Sequence, residues 1–416
     1  MTVCAIETAA EDDGAVSRPG FTIAANGAYA ARLAGDGEAL FPERWTLDGP
    51  EPYAVPLPAA QPEDPHAQVL PMVDGRVLIA RRTGGRYVFS LLYPTGPRTG
   101  ELPLGAIESA SLRLLPPSPD GACAYALAPG EHSTGVWRVA GGGGGGPEHV
   151  AEVEGHCGGG AWLDRTGRML ALDRRQDEGG PVKAVAVDLE RGGEVTPLLQ
   201  ITEGSEDRVL LADPDSGLLL IRSDAPSPGH HRLGWGVLGS MMPVRFPECL
   251  RLPDAAVTPF AVQPGQTLTP ETCAVAVRID AATGSWVGLW RPAGRRLHQL
   301  PAPRGWLAGA GLWSREGVLR LPYATGAVPC GLARLDVARV EAARAGTERS
   351  EGSGRAGEPG GARGGTAPEA SVPRPAAPSA APERAGGEPS GPVVTPGVCK
   401  PVPLQQAPLT GRTGPG

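Results

Sequence analysis

Lysine is nearly missing from this chain. Only Lys183 and Lys400 occur among 416 residues, although Lys and Arg together number 38. The basic residues are thus almost all arginine, a bias that resembles a GC-rich coding habit and is not read as nucleic-acid contact. With a net charge of −7 and no basic stripe, the chain lacks the electrostatic footprint of a DNA- or RNA-binding protein. No CxxC pair is present either. Cys4, Cys123, Cys157, Cys249, Cys273, Cys330 and Cys399 are scattered and odd in number. They read as reduced small hydrophobes, and the expected location is the cytoplasm. No apolar run approaches the length of a membrane span, so no membrane partner is expected. Residues 1–13 are acidic and poor in apolar side chains, unlike a signal peptide.

Chemical motifs are missing as well. There is no G-x-S-x-G nucleophile elbow. The six glycines Gly141 to Gly146 are followed by neither Lys-Ser/Thr nor a helix start, so they read as a connection between strands and not as a phosphate loop. His156-Cys157 is not a catalytic thiol–imidazole pair, because sequence neighbours on a strand point to opposite faces. No cofactor or metal ligand set is expected. Helical periodicity is nearly absent before Val337, and 337–349 offers at best a short exposed helix.

What is present is punctuation. Gly and Pro number 61 and 46. Up to about Val337 they fall at regular intervals; beyond it they form a dense block. The stretch Leu112-Arg113-Leu114-Leu115-Pro116-Pro117-Ser118-Pro119-Asp120-Gly121-Ala122-Cys123-Ala124-Tyr125-Ala126-Leu127 reads as strand, turn, strand. Pro presets φ, Asp bonds its own backbone, and Gly accepts φ > 0. The same unit returns at Gly27, Gly75, Gly167, Gly217, Gly265 and Gly317. Successive turn glycines are 48, 46, 46, 50, 48 and 52 residues apart, a period that marks a propeller or solenoid array. A third strand follows each pair. A weaker, Pro-spotted fourth, such as Tyr53-Ala-Val-Pro-Leu or Cys249-Leu-Arg-Leu, closes most units, as suits an outer edge.

The sequence therefore predicts an all-β, seven-bladed β-propeller of four-stranded antiparallel blades over 17–337, preceded by a segment 1–16. Six blades is the alternative if the first unit is irregular. Residues 338–397 carry seven Arg and seven Glu among Gly, Pro, Ala and Ser. Such a tract cannot offset its ordering entropy and is expected to be a disordered insertion. The seventh unit lacks a fourth strand. Within 398–409, residues near 399–405 are a candidate to return and supply it, since Val402-Pro403-Leu404 repeats Val55-Pro56-Leu57 and loop-closure cost grows slowly with length. Thr2 to Glu7 is the rival closer, and a free polyproline tail the third possibility. Residues 410–416 form a tail.

Ser118-Pro119-Asp120-Gly121, an apolar strand, and then Gly135-Val136-Trp137-Arg138-Val139 resemble the repeat of TolB-like and WD40-like propellers. One unit matches closely. The other six keep the rhythm with altered letters, and the Gly-His and Trp-Asp pairs of true WD repeats are missing. The resemblance implies a propeller fold over 17–337 and a binding scaffold; it carries no activity, because the shared residues are turn residues.

In such a ring the connections from second to third strand, and from blade to blade, share one face. There the sequence places His66, Arg81, Arg82, His132, His156, Asp173, Arg174, Arg175, His230, His231 and Trp306, with Asp177, Glu178, Glu206, Asp207, Arg208 and Asp224 nearby. The remaining tryptophans sit at strand positions and read as blade packing. The expected function is a non-catalytic, monomeric scaffold binding a protein or peptide on this face. The alternative is a propeller enzyme, a hydrolase or lyase, with a polar or metal site at the channel mouth. A small-ligand sensor is a third possibility.

Overall fold

The structure, a computed structural model, describes residues 20–143, 145–264 and 269–339. Within them the chain makes seven antiparallel sheets arranged as the blades of a propeller. Blade 1 holds β1 (Thr22–Ile23), β2 (Tyr29–Ala34), β3 (Phe41–Thr46) and β4 (Tyr53–Pro56). Blade 2 holds β5 (Gln68–Pro71), β6 (Val77–Thr83), β7 (Arg86–Pro94) and β8 (Thr99–Glu108). Blade 3 holds β9 (Arg113–Leu114), β10 (Ala124–Pro129), β11 (Ser133–Ala140) and β12 (Glu148–Glu154). Blade 4 holds β13 (His156–Trp162), β14 (Met169–Arg175), β15 (Val182–Asp188) and β16 (Glu194–Leu199). Blade 5 has three strands, β17 (Asp207–Ala212), β18 (Leu218–Ser223) and β19 (Arg232–Val237). Blade 6 holds β20 (Ala255–Val262), β21 (Val275–Ala281), β22 (Gly284–Trp290) and β23 (His298–Pro301). Blade 7 has β24 (Leu312–Trp313), β25 (Val318–Tyr323) and β26 (Gly331–Asp336), without a fourth strand among the described residues.

The turn glycines explain the rhythm. Gly27, Gly75, Gly121, Gly167, Gly217 and Gly317 all adopt positive φ, from 62° to 83°, a region costly for any residue with a Cβ. Gly265 lies outside the described residues. At Gly121 space is also short: a Cβ would fall 2.0 Å from Val73 Cγ1. The Val73 N–H donates to the Gly121 carbonyl at 3.1 Å, stitching blade 2 to blade 3. The Ser118 hydroxyl is 2.5 Å from Asp120 Oδ1 and 2.6 Å from the Cys123 carbonyl, inside the same turn.

Alternation along the strands decides the packing, because each blade is buried on both sides. In β6, Val77 and Ile79 pack toward blade 1, and Leu78 and Ala80 toward blade 3. In β21, Val275, Val277 and Ile279 face blade 5, whereas Ala274 and Ala276 just outside and within the strand face blade 7. Seven apolar layers result, one between each pair of neighbours. The seventh closes the ring: Ala30, Trp45 and Leu47 of blade 1, with Phe21 and Ile23, meet Leu307, Ala324, Cys330 and Leu332 around blade 7.

One strand assignment is corrected. The fourth strand expected at Cys249-Leu-Arg-Leu does not form. Glu248–Leu250 is a 3₁₀ turn instead, and it buries Leu250 between blades 5 and 6. Pro243 and Pro247 bracket the segment and remove backbone donors. The outer edge of β19 keeps only the Trp235–Arg245 bridge. The six-glycine run lies between β11 and β12, as its composition suggests. No helix among the described residues is long and apolar enough to cross a membrane. Residues 1–16, 340–397, the returning segment 398–409 and the tail 410–416 lie outside the described residues.

Candidate functional site

The chain path gives the ring two distinct faces. The turns from first to second strand and from third to fourth share the turn face. The turns from second to third strand, and the links between blades, share the loop face. All eleven residues singled out in the sequence lie on the loop face, by their positions at strand ends and links.

They divide into structural and exposed groups. Arg81 is structural: its guanidinium donates twice to the buried Glu63 carboxylate at 2.8 Å and once to Glu101 at 2.6 Å. The Glu63 bond, with that to Glu101, holds the Arg81 guanidinium above its ordinary value against the effect of burial. Trp306 is structural too. Its Nε1 donates to the Ala310 carbonyl at 2.9 Å, its ring lies 5.5 Å from that of Phe260, and it packs in the layer between blades 6 and 7. His66, Arg82, His132, His156, His230 and His231 are exposed.

Between blades 4 and 5 the loop face conceals a polar clamp. Lys183 Nζ donates to the carbonyls of Thr202 at 2.6 Å and Ser205 at 2.5 Å, and to Asp207 Oδ2 at 3.0 Å. Asp207, fully buried, also accepts from the Ser205 hydroxyl at 2.8 Å, the Ile201 N–H at 3.0 Å and the Ser223 hydroxyl at 2.6 Å. Asp224 accepts from the N–H groups of Glu206 and Gly229 at 2.8 and 3.0 Å, which fixes the turn bearing His230 and His231. Of these acids, placed by the sequence near a binding face, Asp207 joins blades 4 and 5 through Lys183, and Asp224 orders the loops of blade 5. Lys183 had no sequence signal beyond its rarity.

Beside the clamp is the feature that brings most of the remaining residues together. Across β13 and β14, His156 stands opposite Arg175, Cys157 opposite Arg174, and Gly158 opposite Asp173. A bulge between Gly158 and Ala161 opens room there; a Cβ on Gly159 would sit 2.6 Å from Asp173 Oδ2. Asp173 is buried and accepts from the Val209 N–H at 3.1 Å. Burial pushes its carboxyl up to about 6, against the Val209 bond and the nearby charges of Arg208, Arg222 and Arg113. Arg113 begins β9, Arg208 belongs to β17 and Arg222 to β18, so blades 3, 4 and 5 all contribute to this mouth. The neighbouring Cys157 thiol is pushed up to about 11 by burial, which leaves it protonated and unreactive near neutrality. Among the described residues, no three His, Cys, Asp or Glu side chains gather in a way that could hold a metal ion.

Asp173 gives a pH signature. Its folded value of about 6 exceeds the unfolded carboxylate value near ~3.9, so the folded state keeps the proton longer. This contribution favours folding below about pH 4 and is lost as pH rises through about 6. Asp173→Asn is expected to stabilise the protein at pH 7 by about 2–3 kcal/mol and to flatten that interval. Thermal unfolding of both proteins from pH 4 to 8 checks this; parallel pH profiles would contradict it.

On the turn face, a cavity of ≈ 600 Å³ opens where the first turns of several blades converge. Its wall includes Asp48 of blade 1, Asp120 of blade 3, Arg165 of blade 4, and Trp313, Arg315 and Arg320 of blade 7. None of these wall residues stood out in the sequence as a site, because they are turn residues with a sufficient local explanation.

Comparisons with known proteins add a likeness of fold. No protein-family model matches the sequence, and no curated protein does. Prolyl oligopeptidase B from Galerina marginata, bound to a 35mer hydrolysis and macrocyclization substrate, is similar over 77% of this chain and 49% of its own, at 13% identity and a TM-score of 0.47. TolB from Acinetobacter baumannii is similar over 74% of this chain and 80% of its own, at 11% identity and a TM-score of 0.38. The chain thus spans about half the length of the oligopeptidase.

Proposed function

We propose that this propeller is a non-catalytic binding module that holds an acidic segment of a protein or peptide on its loop face. The observation carrying this reading is the arginine-rich mouth: the charges of Arg113, Arg208 and Arg222 act on the buried carboxylate of Asp173, Arg174 and Arg175 follow it in β14, and Glu206 pairs with Arg208. Exposed His156 lies beside them. Guanidinium groups offer planar paired donors suited to carboxylates, and the mouth counters the overall negative charge of the chain locally. The TolB-like likeness of the Ser118–Gly121 repeat fits the same reading, as a scaffold whose loops do the binding.

A second reading, a propeller enzyme, has one observation in its favour. Asp173 is a carboxyl with a raised pKa, a property that catalytic acids share. Against it, the carboxyl is tied to the Val209 N–H and boxed by Gly159, and the adjacent thiol is protonated.

Fluorescence anisotropy of a labelled peptide rich in Glu and Asp provides the test. Arg174→Glu/Arg175→Glu is expected to weaken binding by about tenfold or more, and added salt to weaken wild-type binding. A peptide that fails to bind the wild type, or binds the double variant equally, would contradict the proposal.

A further inference from the structure

The turn face carries charge that the loop-face reading does not use. Arg320 lies in β25, directly opposite Arg334 in β26. Like charges in that cross-strand position repel. Arg320 is half-buried and lines the turn-face cavity, and its Nε is buried without a hydrogen-bond partner. Among the described residues neither the Arg320 nor the Arg334 side chain has a hydrogen bond or an ion pair. Arg315 stands exposed on the same cavity wall. Glu316 lies within electrostatic range of Arg315 and Arg320, with its carboxylate held low by the Ser314 hydroxyl, and forms an ion pair with neither.

A second orphan donor lines the same cavity. Trp313 is 4% exposed, and its indole Nε1 is buried without a partner. A buried donor left unsatisfied is destabilising, so two on residues of one cavity wall mark a place where an acceptor belongs. The other charged groups of the wall are accounted for differently. Arg165 is paired with Asp215. The Asp120 carboxylate is engaged by its own turn, through Ser118 and the N–H groups of Ala122 and Cys123. Asp48 is an exposed acceptor contributed by blade 1.

We infer that the turn-face cavity is a binding site for a small oxyanion-bearing molecule, a carboxylate or a phosphate. Arg320 and Arg315 take the oxyanion, and the Trp313 indole supplies a further donor. Asp48 accepts from a hydroxyl or amino group elsewhere on the ligand. The site is independent of the loop-face mouth, which lies at the other end of the strands.

Thermal unfolding and calorimetric titration with inorganic phosphate, and separately with succinate, at matched ionic strength, test the inference. At least one of the two should raise the unfolding midpoint of the full chain, and the one that does so identifies the oxyanion class. Arg320→Gln should weaken binding by about tenfold or more while leaving the ligand-free protein at least as stable, because it removes a repelled charge. Arg315→Gln, at an exposed position, gives a second variant in which folding is undisturbed and binding also falls. Arg98→Gln, exposed on the rim of blade 2 and outside the cavity wall, should bind like the wild type. Absence of any response to both oxyanions would overturn the inference, as would equal responses in wild type, Arg320→Gln and Arg315→Gln.

Discussion

Lys183→Met is expected to lower the unfolding free energy by about 3–5 kcal/mol. The reason lies in what remains. Asp207 has no solvent exposure, and in the variant its charge would lose its ammonium partner while keeping the neutral donors of Ser205, Ile201 and Ser223. Three backbone or side-chain acceptors around Lys183 Nζ would each lose one donor at the same time. Removing one member of a buried pair is far more damaging than removing both. Lys183→Met/Asp207→Leu should therefore recover a substantial part of the loss. Urea unfolding of the two variants measures both effects. A loss below about 1 kcal/mol in the single variant would mean that the clamp is solvated in solution.

Trp45→Ala should cost a comparable amount, about 3–5 kcal/mol. Trp45 is fully buried and forms the centre of the layer joining blade 1 to blade 7. Phe21 meets it edge-on at 4.8 Å, and the Arg32 guanidinium lies over its ring at 5.2 Å. Its Nε1 donates to Glu43 Oε2 at 2.7 Å, the oxygen that also accepts from Arg32. Among the described residues this layer has three buried apolar side chains, fewer than any other layer, so Trp45 carries a large share of its described contact. Unfolding followed by denaturant should show the loss with a lowered midpoint. A cost near that of a surface change would imply that the two end blades are held by something else.

The fold was legible for a local reason. A turn that needs positive φ needs glycine, whatever packs around it, and Gly27, Gly75, Gly121, Gly167, Gly217 and Gly317 all adopt it. The inner strands between them were legible because burial on both sides demands apolar residues at most positions, as in β6 and β15. Blade 5 shows where this ends: Cys249-Leu-Arg-Leu has a strand's letters, but flanking prolines and the pull of Leu250 into a core turn it into a 3₁₀ turn.

The sites were legible only as faces. Loop positions follow from strand order, so the arginines and histidines could be placed on one side of the ring. Their partners could not. Arg81 meets Glu63 from the preceding blade link, and Asp207 meets Lys183 from the neighbouring blade. Nothing in either local sequence separates such ion pairs from solvated charges. The Arg320–Arg334 opposition depends on strand register, which a two-residue change in a turn would alter.

Which face of the ring meets a partner is the central question. Hydrogen exchange of the full chain, with and without the Glu- and Asp-rich peptide, locates that face. Slowed exchange is expected in β13, at the end of β14 and in the loops at 176–181 and 224–231. Slowed exchange confined to the turn-face segments at 24–28 and 314–317 would contradict it.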